Sequence, residues 1–293
     1  MAILIDTPMW PAHGTVFAHL VSDASLAELH AFAAAAEIPE RAFDEDHYDV
    51  PERRHADLVL RGAQPVDGRT LTRALIASGL RVPARERAKA LATPLAQRWE
   101  QLLPGRPELG RELIGRWSEA HRRYHTNAHL FAVLTSLDEI SDDGAAPRAV
   151  SLAAWFHDAV YAGRAGQDEE DSALLAESRL ADAGLPAPEI AEVGRLVRLT
   201  AAHRPSTDDG GGQLLCDADL AVLGRDSAGY RRYTAQVRAE YAHVPDGPFR
   251  AGRAQVLEHL LALDPLFHTE RARELWLDGA RTNLSEELAG LRG

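Results

Sequence analysis

Three separated segments of the chain place histidine, acidic residues or both inside patterns that are otherwise apolar. The segments span residues 124–129, 155–158 and 216–220. In a predicted helix over 127–140, His129 shares the apolar side that would face a core. His157 and Asp158 interrupt a segment that is apolar almost all round, and Asp219 falls on the apolar side of a third predicted helix. The sequence therefore predicts two imidazoles and two carboxylates that point into a helical interior.

Buried carboxylates are costly unless they are paired or bound to a metal. Imidazole and carboxylate together suit Zn, Mn, Fe, Co or Ni, and sites richer in carboxylate suit Mg. Such a cation lowers the pKa of a bound water and neutralises charge on a phosphoryl oxygen. The residues thus predict a divalent cation site. The alternative is a set of core histidines that neighbouring acids satisfy without a cation.

The order His…His-Asp…Asp resembles the HD superfamily of metal-dependent phosphohydrolases. The resemblance covers residues 90–293, implies an all-helical domain, and assigns four metal ligands: His129, His157, Asp158 and Asp219. It also implies hydrolysis of a phosphate ester or anhydride by a metal-activated water, and it makes Asp158 a catalytic residue that could bridge to a second cation.

Residues 124–129 are also similar to the Tyr-His-Asn-x-x-His stretch of cyclic-nucleotide phosphodiesterases, another all-helical fold. In that stretch the first histidine protonates the leaving oxygen and the second binds metal. The similarity implies that His125 is a general acid. Thr126 stands where those enzymes have asparagine.

Several neighbouring residues are weaker candidates. Contacts with the substrate are predicted for His203, Arg204, Arg253, Glu169 and Glu170. Histidine near a helix C-terminus and acids in a first turn are also favoured by the helix dipole, so ordinary structural roles stay open for these positions. Asp217 could replace Asp219 as the ligand, although its less apolar helix face favours a supporting role. Cys216 is more typical of a small buried residue than of a nucleophile.

A second group of polar residues lies in the N-terminal part: Asp6, His13, His19, Asp46 and His47. A binding or regulatory site, a second metal site and a purely structural role are equally open for it. Residues 1–85 resemble a domain of unknown function, DUF4031, at segments 11–14, 19–23 and 46–49.

The elements that must position these residues change character along the chain. Short strand patterns alternate with helical ones in residues 1–85, including a capping box at Ser25 and Glu28, and predict a small α/β (α+β) domain. Residues 83–87 are the predicted linker. Helical patterns then run over 86–103, 108–122, 127–140, 147–160, 168–184, 188–202, 213–224, 227–242, 250–262 and 270–291. The glycines at 210–212 are predicted as one of the separating turns. The predicted fold class is mainly α.

Composition limits the classes of partner that we expect for this protein. A net charge of −12 gives no general attraction to nucleic acid or an anionic membrane. One cysteine excludes an intramolecular disulfide framework, and no apolar run approaches the roughly 18 residues of a membrane span. We expect a cytoplasmic protein that acts on a small-molecule phosphate, such as a nucleotide, and assembly of identical subunits stays open.

The rival hypotheses are a non-catalytic metal- or nucleotide-binding regulatory protein and an HD-type di-iron oxygenase, which needs His203 or Glu169 as extra ligands.

Overall fold

Short apolar segments in the first 65 residues pair into one mixed sheet in the computed structural model, which describes residues 2–12, 14–82, 88–164 and 166–292. Its strands are β1 (Ile3–Ile5), β2 (Trp10–Ala12), β3 (Thr15–Ser22), β4 (Tyr48–Pro51) and β5 (Gln64–Pro65). The long strand β3 pairs antiparallel with β1, β2 and β4, and β1 pairs parallel with β5. This register sets His19 of β3 opposite Asp49 of β4.

Three helices accompany this sheet: α1 (Leu26–Ala35), α2 (Glu52–Leu60) and α3 (Gly68–Ala77). The predicted capping box at the start of α1 is only half formed. The hydroxyl of Ser25 accepts the backbone N–H of Glu28 (3.1 Å), but the Glu28 carboxylate accepts the Ser22 hydroxyl (2.5 Å). Ser22 also accepts the N–H of Ser25 (3.0 Å), so it takes over the second half of the motif.

Helices make up the regular structure from residue 92 onward in the described part of the chain. They are α4 (Ala92–Leu102), α5 (Pro107–Arg116), α6 (Asn127–Ile140), α7 (Arg148–Phe156), α8 (Gln167–Asp182), α9 (Ala187–Leu199), α10 (Gly210–Leu220), α11 (Ser227–Glu240), α12 (Asp246–Leu261) and α13 (Glu270–Arg292). The predicted fold class, mainly α with a small N-terminal α/β region, is confirmed. None of the described helices combines the length and the apolar character that a bilayer crossing requires.

The described residues divide into two compact units. One falls within Met1–Arg87 and Arg231–Ala239, and the other within Ala88–Tyr230 and Glu240–Gly293. The sheet and α1 to α3 bury a core of their own around Ile5, Leu20 and Leu29. In the second unit Trp99, Trp117 and Trp155 are fully buried. The predicted linker at 83–87 lies outside the described residues.

Several helix boundaries differ from the sequence prediction. The helix predicted over 108–122 ends at Arg116, and the one predicted over 250–262 begins at Asp246. Two further differences have local reasons. The glycines at 210–212, predicted as a turn, form the first turn of α10, because the Asp209 carboxylate accepts the N–H of Gly212 (2.9 Å) and caps the helix. The helix predicted over 147–160 ends at Phe156. Beyond it the carbonyls of Asp158 and Ala159 accept from the Arg122 guanidinium, at 2.7 and 3.3 Å. This donor competes with continuation of the helix and turns the chain at His157 and Asp158.

Two glycines of α5 provide a matched test of packing. A Cβ at Gly110 would lie 2.4 Å from Cδ1 of the buried Trp99 ring, whereas a Cβ at Gly115 would meet nothing within 4 Å. We expect Gly110→Ala to lower the free energy of unfolding by about 1–3 kcal/mol through overpacking. Gly115→Ala should raise it by about 0.5–1 kcal/mol through helix propensity. Urea unfolding of both variants measures the difference, and equal effects would contradict the close packing of Trp99 on α5.

Candidate metal centre

Three donor atoms from three helices converge inside the helical unit. His129 is in the first turn of α6, His157 follows α7 directly, and Asp219 is near the end of α10. His129 Nε2 lies 3.1 Å from Asp219 Oδ1 and 3.2 Å from His157 Nε2. His157 Nε2 lies 3.6 Å from the same Asp219 oxygen. The structure thus brings together three of the four predicted ligands in one triangle of facing atoms.

The size of this triangle fits a divalent cation. Nitrogen and oxygen donors bind such cations at about 2.0–2.2 Å, so two donors on one cation are about 3–3.5 Å apart. The observed separations of 3.1, 3.2 and 3.6 Å fall close to that range. Both imidazoles are buried, and two imidazole nitrogens facing each other leave a lone pair to be satisfied. These buried groups could hold a metal ion.

Asp158 completes the set from the turn after α7. Its Oδ2 lies 3.3 Å from His157 Nε2 and 4.0 Å from His129 Nε2. The carboxylate is therefore beside the triangle and within reach of either imidazole. It is also 3.8 Å from His125 Nε2. All four predicted ligands and the predicted general acid lie in one cluster.

Outer contacts hold these donors in position. His157 Nδ1 lies 2.8 Å from the Ala154 carbonyl, an arrangement that places a proton on Nδ1 and leaves Nε2 directed at the cluster. His203 Nε2 lies 2.8 Å from Asp219 Oδ2 and so engages the oxygen that does not face the imidazole pair. His203 was predicted to contact substrate. Its place in the structure makes it a partner of Asp219 at the edge of the cluster.

The electrostatics of the cluster favour a positive charge. Burial opposes a charge on His157, but Asp158 and Asp219 outweigh it and raise the pKa of His157 to about 9. Burial lowers the pKa of His129, and Asp219 offsets this only in part. Burial would also raise the pKa of Asp219, yet His157 and His129 hold it well below its usual range. Asp158 and Asp219 therefore stabilise a positive charge on His157 although the residue is buried. A divalent cation among the same groups would supply more positive charge than this proton does.

His125 is held by an acid that the sequence analysis did not identify. Glu240, at the end of α11, lies with Oε1 2.6 Å from His125 Nδ1 and accepts the Tyr161 hydroxyl at 2.8 Å. Its other oxygen accepts three successive backbone N–H groups, those of residues 123, 124 and 125, at 2.8–3.2 Å. Burial opposes the charge, but His125 and these donors lower the pKa of Glu240 far below its usual value.

This arrangement gives His125 two carboxylates, one at each ring nitrogen. Nδ1 faces Glu240, and Nε2 faces Asp158 on the side of the cluster. Burial lowers the pKa of His125, but Asp158 and Glu240 reverse the effect and raise it. The ring also stacks on Tyr161, with centroids 4.2 Å apart. A histidine whose pKa is raised and whose ring is fixed beside the candidate ligands is suited to donate a proton.

Arg122 is a second residue whose position the sequence analysis did not predict. Its buried guanidinium donates to the carbonyls of His125 (3.2 Å), Asp158 (2.7 Å) and Ala159 (3.3 Å). It also lies near the rings of Trp117 and Tyr161, 5.5 and 5.4 Å from their centroids. Arg122 therefore ties the segment of the predicted acid to the His-Asp turn.

Asp217 is engaged away from the donors that meet at Asp219. Its Oδ1 accepts the N–H of His268 (2.8 Å), and its Oδ2 accepts the N–H and hydroxyl of Thr269 (2.7 and 2.8 Å). Thr269 precedes α13, so the carboxylate anchors the start of that helix. Cys216 is buried, and burial raises the pKa of its thiol, as expected for an unreactive packing residue.

Three of the four remaining candidates for substrate contact bond to other groups, and the fourth is exposed. Glu169 accepts the N–H of Gly166 (2.6 Å) and caps α8, and Glu170 pairs with Arg198 (2.7 Å). The Arg253 guanidinium pairs with Glu287, at 2.8 and 3.0 Å. Arg204 is exposed. The structure does not draw these four into the triangle of donors described above.

The N-terminal polar group separates into two histidine–aspartate pairs. His19 Nδ1 lies 3.0 Å from Asp6 Oδ2, and His47 Nδ1 lies 2.6 Å from Asp46 Oδ1. The two imidazole rings contact edge to face, with centroids 4.7 Å apart. His13 lies outside the described residues. Four of the five predicted residues therefore belong to one neighbourhood.

Comparison with known proteins identifies this region. Residues 3–78 match the family described as "Protein of unknown function (DUF4031)". The N-terminal region carries a DUF4031 domain. The resemblance predicted for residues 1–85 is thereby confirmed. No curated protein and no solved structure matches the chain. The HD resemblance predicted for residues 90–293, downstream of the DUF4031 domain, stays a prediction that depends on the residues themselves.

Proposed function

We propose that the helical unit is a metal-dependent phosphohydrolase of the HD type. The convergence of His129, His157 and Asp219 within 3.6 Å supports it most directly. A lone His-Asp pair would be weak support, because such a dipeptide occurs by chance in many proteins. Donors from three separate helices that meet in a buried place require a common reason, and a divalent cation provides one.

A cation held by His129, His157, Asp219 and Asp158 would supply an activated water and neutralise a phosphoryl oxygen. Residues of the chain orient the ligands and donate the proton. Asp158 is close enough to both imidazoles to orient the ligand set, and His203 holds the outer oxygen of Asp219. His125 donates its Nε2 proton to the leaving oxygen, while Glu240 and Tyr161 fix its ring.

The substrate class follows from charge. A chain with net charge −12 repels phosphates in general, so a substrate must be small enough to be neutralised locally by the cation and His125. We therefore propose a phosphate ester or anhydride of a nucleotide or a related small molecule. No nucleic-acid polymer is expected as a partner.

A second candidate, a di-iron oxygenase, has one observation in its favour. His203 lies 2.8 Å from Asp219 and could serve as an extra ligand. The other extra ligand that such a centre would need, Glu169, instead caps α8. The phosphohydrolase is favoured because it needs only the donors that already meet.

The test uses the full chain, purified without chelator or added cation. Metal content is measured first, and phosphate release is then followed over a panel of nucleotides and phosphate esters with Mn²⁺, Co²⁺, Ni²⁺ or Mg²⁺. We expect cation-dependent phosphate release that EDTA abolishes and added cation restores. Metal or nucleotide binding without any release would instead favour a regulatory protein, and iron-dependent oxygen uptake would favour the oxygenase.

A further inference from the structure

The DUF4031 domain contains a second set of converging donors. It is distinct from the candidate metal centre at His129, His157, Asp158 and Asp219, which is called the helical centre below. His19 on β3 and Asp49 on β4 are cross-strand partners, and His47 is two residues before Asp49. Residues two apart in extended chain share a face, so the register places all three side chains on one side. Asp49 Oδ1 lies 3.4 Å from His47 Nε2 and 3.8 Å from His19 Nε2. These three residues, His19, His47 and Asp49, are called the sheet cluster below.

Both imidazoles of the sheet cluster are oriented by buried carboxylates. Asp6 is 2% exposed and Asp46 is 0% exposed. Asp6 holds His19 Nδ1 at 3.0 Å and accepts the N–H of His19 at 2.6 Å. Asp46 holds His47 Nδ1 at 2.6 Å and accepts the N–H of Val82 at 2.6 Å. Each carboxylate therefore accepts a hydrogen bond from a backbone N–H and also holds an imidazole ring in position.

This pattern has a defined chemical consequence. A carboxylate at Nδ1 keeps the proton on that nitrogen and makes Nε2 the more basic acceptor, as in carboxylate–histidine–metal triads. Here both Nε2 atoms face the same oxygen of Asp49. Two imidazole nitrogens and a carboxylate oxygen that converge in this way form a donor set that a positive charge placed among them would stabilise. The same arrangement occurs at both histidines, each with its own buried aspartate at Nδ1, and this favours a cation.

We propose that the sheet cluster is a divalent transition-metal site of the two-histidine, one-carboxylate type. Its donors all lie within 4.8 Å of one another. Two imidazoles and one carboxylate suit Zn²⁺, Fe²⁺ or Co²⁺ rather than Mg²⁺ or Ca²⁺. The side chain of Asp49 is 46% exposed, so this donor of the cluster is accessible from solvent. This inference does not depend on the proposed phosphohydrolase.

The first experiment counts Zn²⁺ in the full chain after chelator treatment, by equilibrium dialysis. A His129→Gln/His157→Gln background removes the helical centre, so that bound Zn²⁺ reports the sheet cluster alone. We expect one equivalent in that background and a Kd at least about 10-fold weaker when Asp49→Asn is added. Asp57→Asn is the matched control, because that aspartate of α2 is similarly exposed (43%) but pairs with Arg54 and Arg61.

A second readout locates the cation without relying on stoichiometry. The Trp10 ring centroid lies 5.1 Å from that of His19, and the residue is 50% exposed. In the same background, Co²⁺ should quench the fluorescence of Trp10 in a saturable way, and Trp10→Phe should remove that component. His19→Gln/Asp49→Asn should abolish it while circular dichroism stays unchanged. Zn²⁺ binding and Co²⁺ quenching that survive this double substitution would overturn the proposal, whatever the helical centre does.

Discussion

Asp219→Asn is expected to lower phosphate release by about 10³-fold and to remove most cation from the helical centre. Asp219 is the carboxylate that faces both His129 and His157, at 3.1 and 3.6 Å. A cation contributes several kcal/mol to charge stabilisation in such reactions, and each 1.36 kcal/mol is tenfold in rate. Asparagine keeps the shape but loses the charge that retains the cation. Metal analysis and kcat with saturating Mn²⁺ measure the two losses.

The control for this prediction is two residues away on the same helix. Asp217→Asn weakens the anchor on His268 and Thr269, so it should lower the free energy of unfolding by about 1–3 kcal/mol and leave the cation in place. The two variants should therefore show opposite phenotypes: a stable chain without metal, and a less stable chain with it. Full activity in Asp219→Asn would refute the assignment of the centre.

The sequence pointed to the candidate ligands because each one marks a break in a local pattern. His129 and Asp219 are polar residues on helix faces that are otherwise apolar, and periodicity alone predicts that they point inward. Asp158 was predicted on the same basis, but it lies in the turn after α7. The structure brings these three together with His157 and His125. The preference for Asp219 over Asp217 came from the less apolar helix face of Asp217, yet the structure buries Asp217 and engages its carboxylate at the start of α13.

The residues that position the site could not be found in this way. Glu240 is 115 positions from His125, and nothing near the end of α11 distinguishes it from a surface acid in sequence. In the sequence nothing distinguishes Arg122 from the other arginines. Only the fold buries it and brings its guanidinium to the carbonyls that follow α7. Likewise, the grouping of segment 231–239 with the first 87 residues depends on long-range packing. Local periodicity carries no information about such distant pairings.

His125 offers the sharpest test of chemistry, because a general acid matters most when the leaving group is poor. We expect His125→Ala to lower kcat about 10²–10⁴-fold for an alkyl or nucleoside phosphate, with cation content unchanged. For p-nitrophenyl phosphate, whose leaving group needs little protonation, the loss should be much smaller. His243→Gln changes an exposed histidine and serves as the control. Equal losses for both substrates would contradict the proton-donor role.

Glu240 should show the same dependence on the leaving group through its hold on His125. Glu240→Gln keeps the size of the side chain but removes the charge that faces Nδ1 at 2.6 Å. We expect a loss of about 10–100-fold, the scale of partners that orient a functional histidine. In a His125→Ala background the same substitution should cost little more, because residues that act as a unit are non-additive. A purely structural role would instead give equal losses in both backgrounds and lower the unfolding temperature in step, so the double-mutant cycle separates positioning from folding.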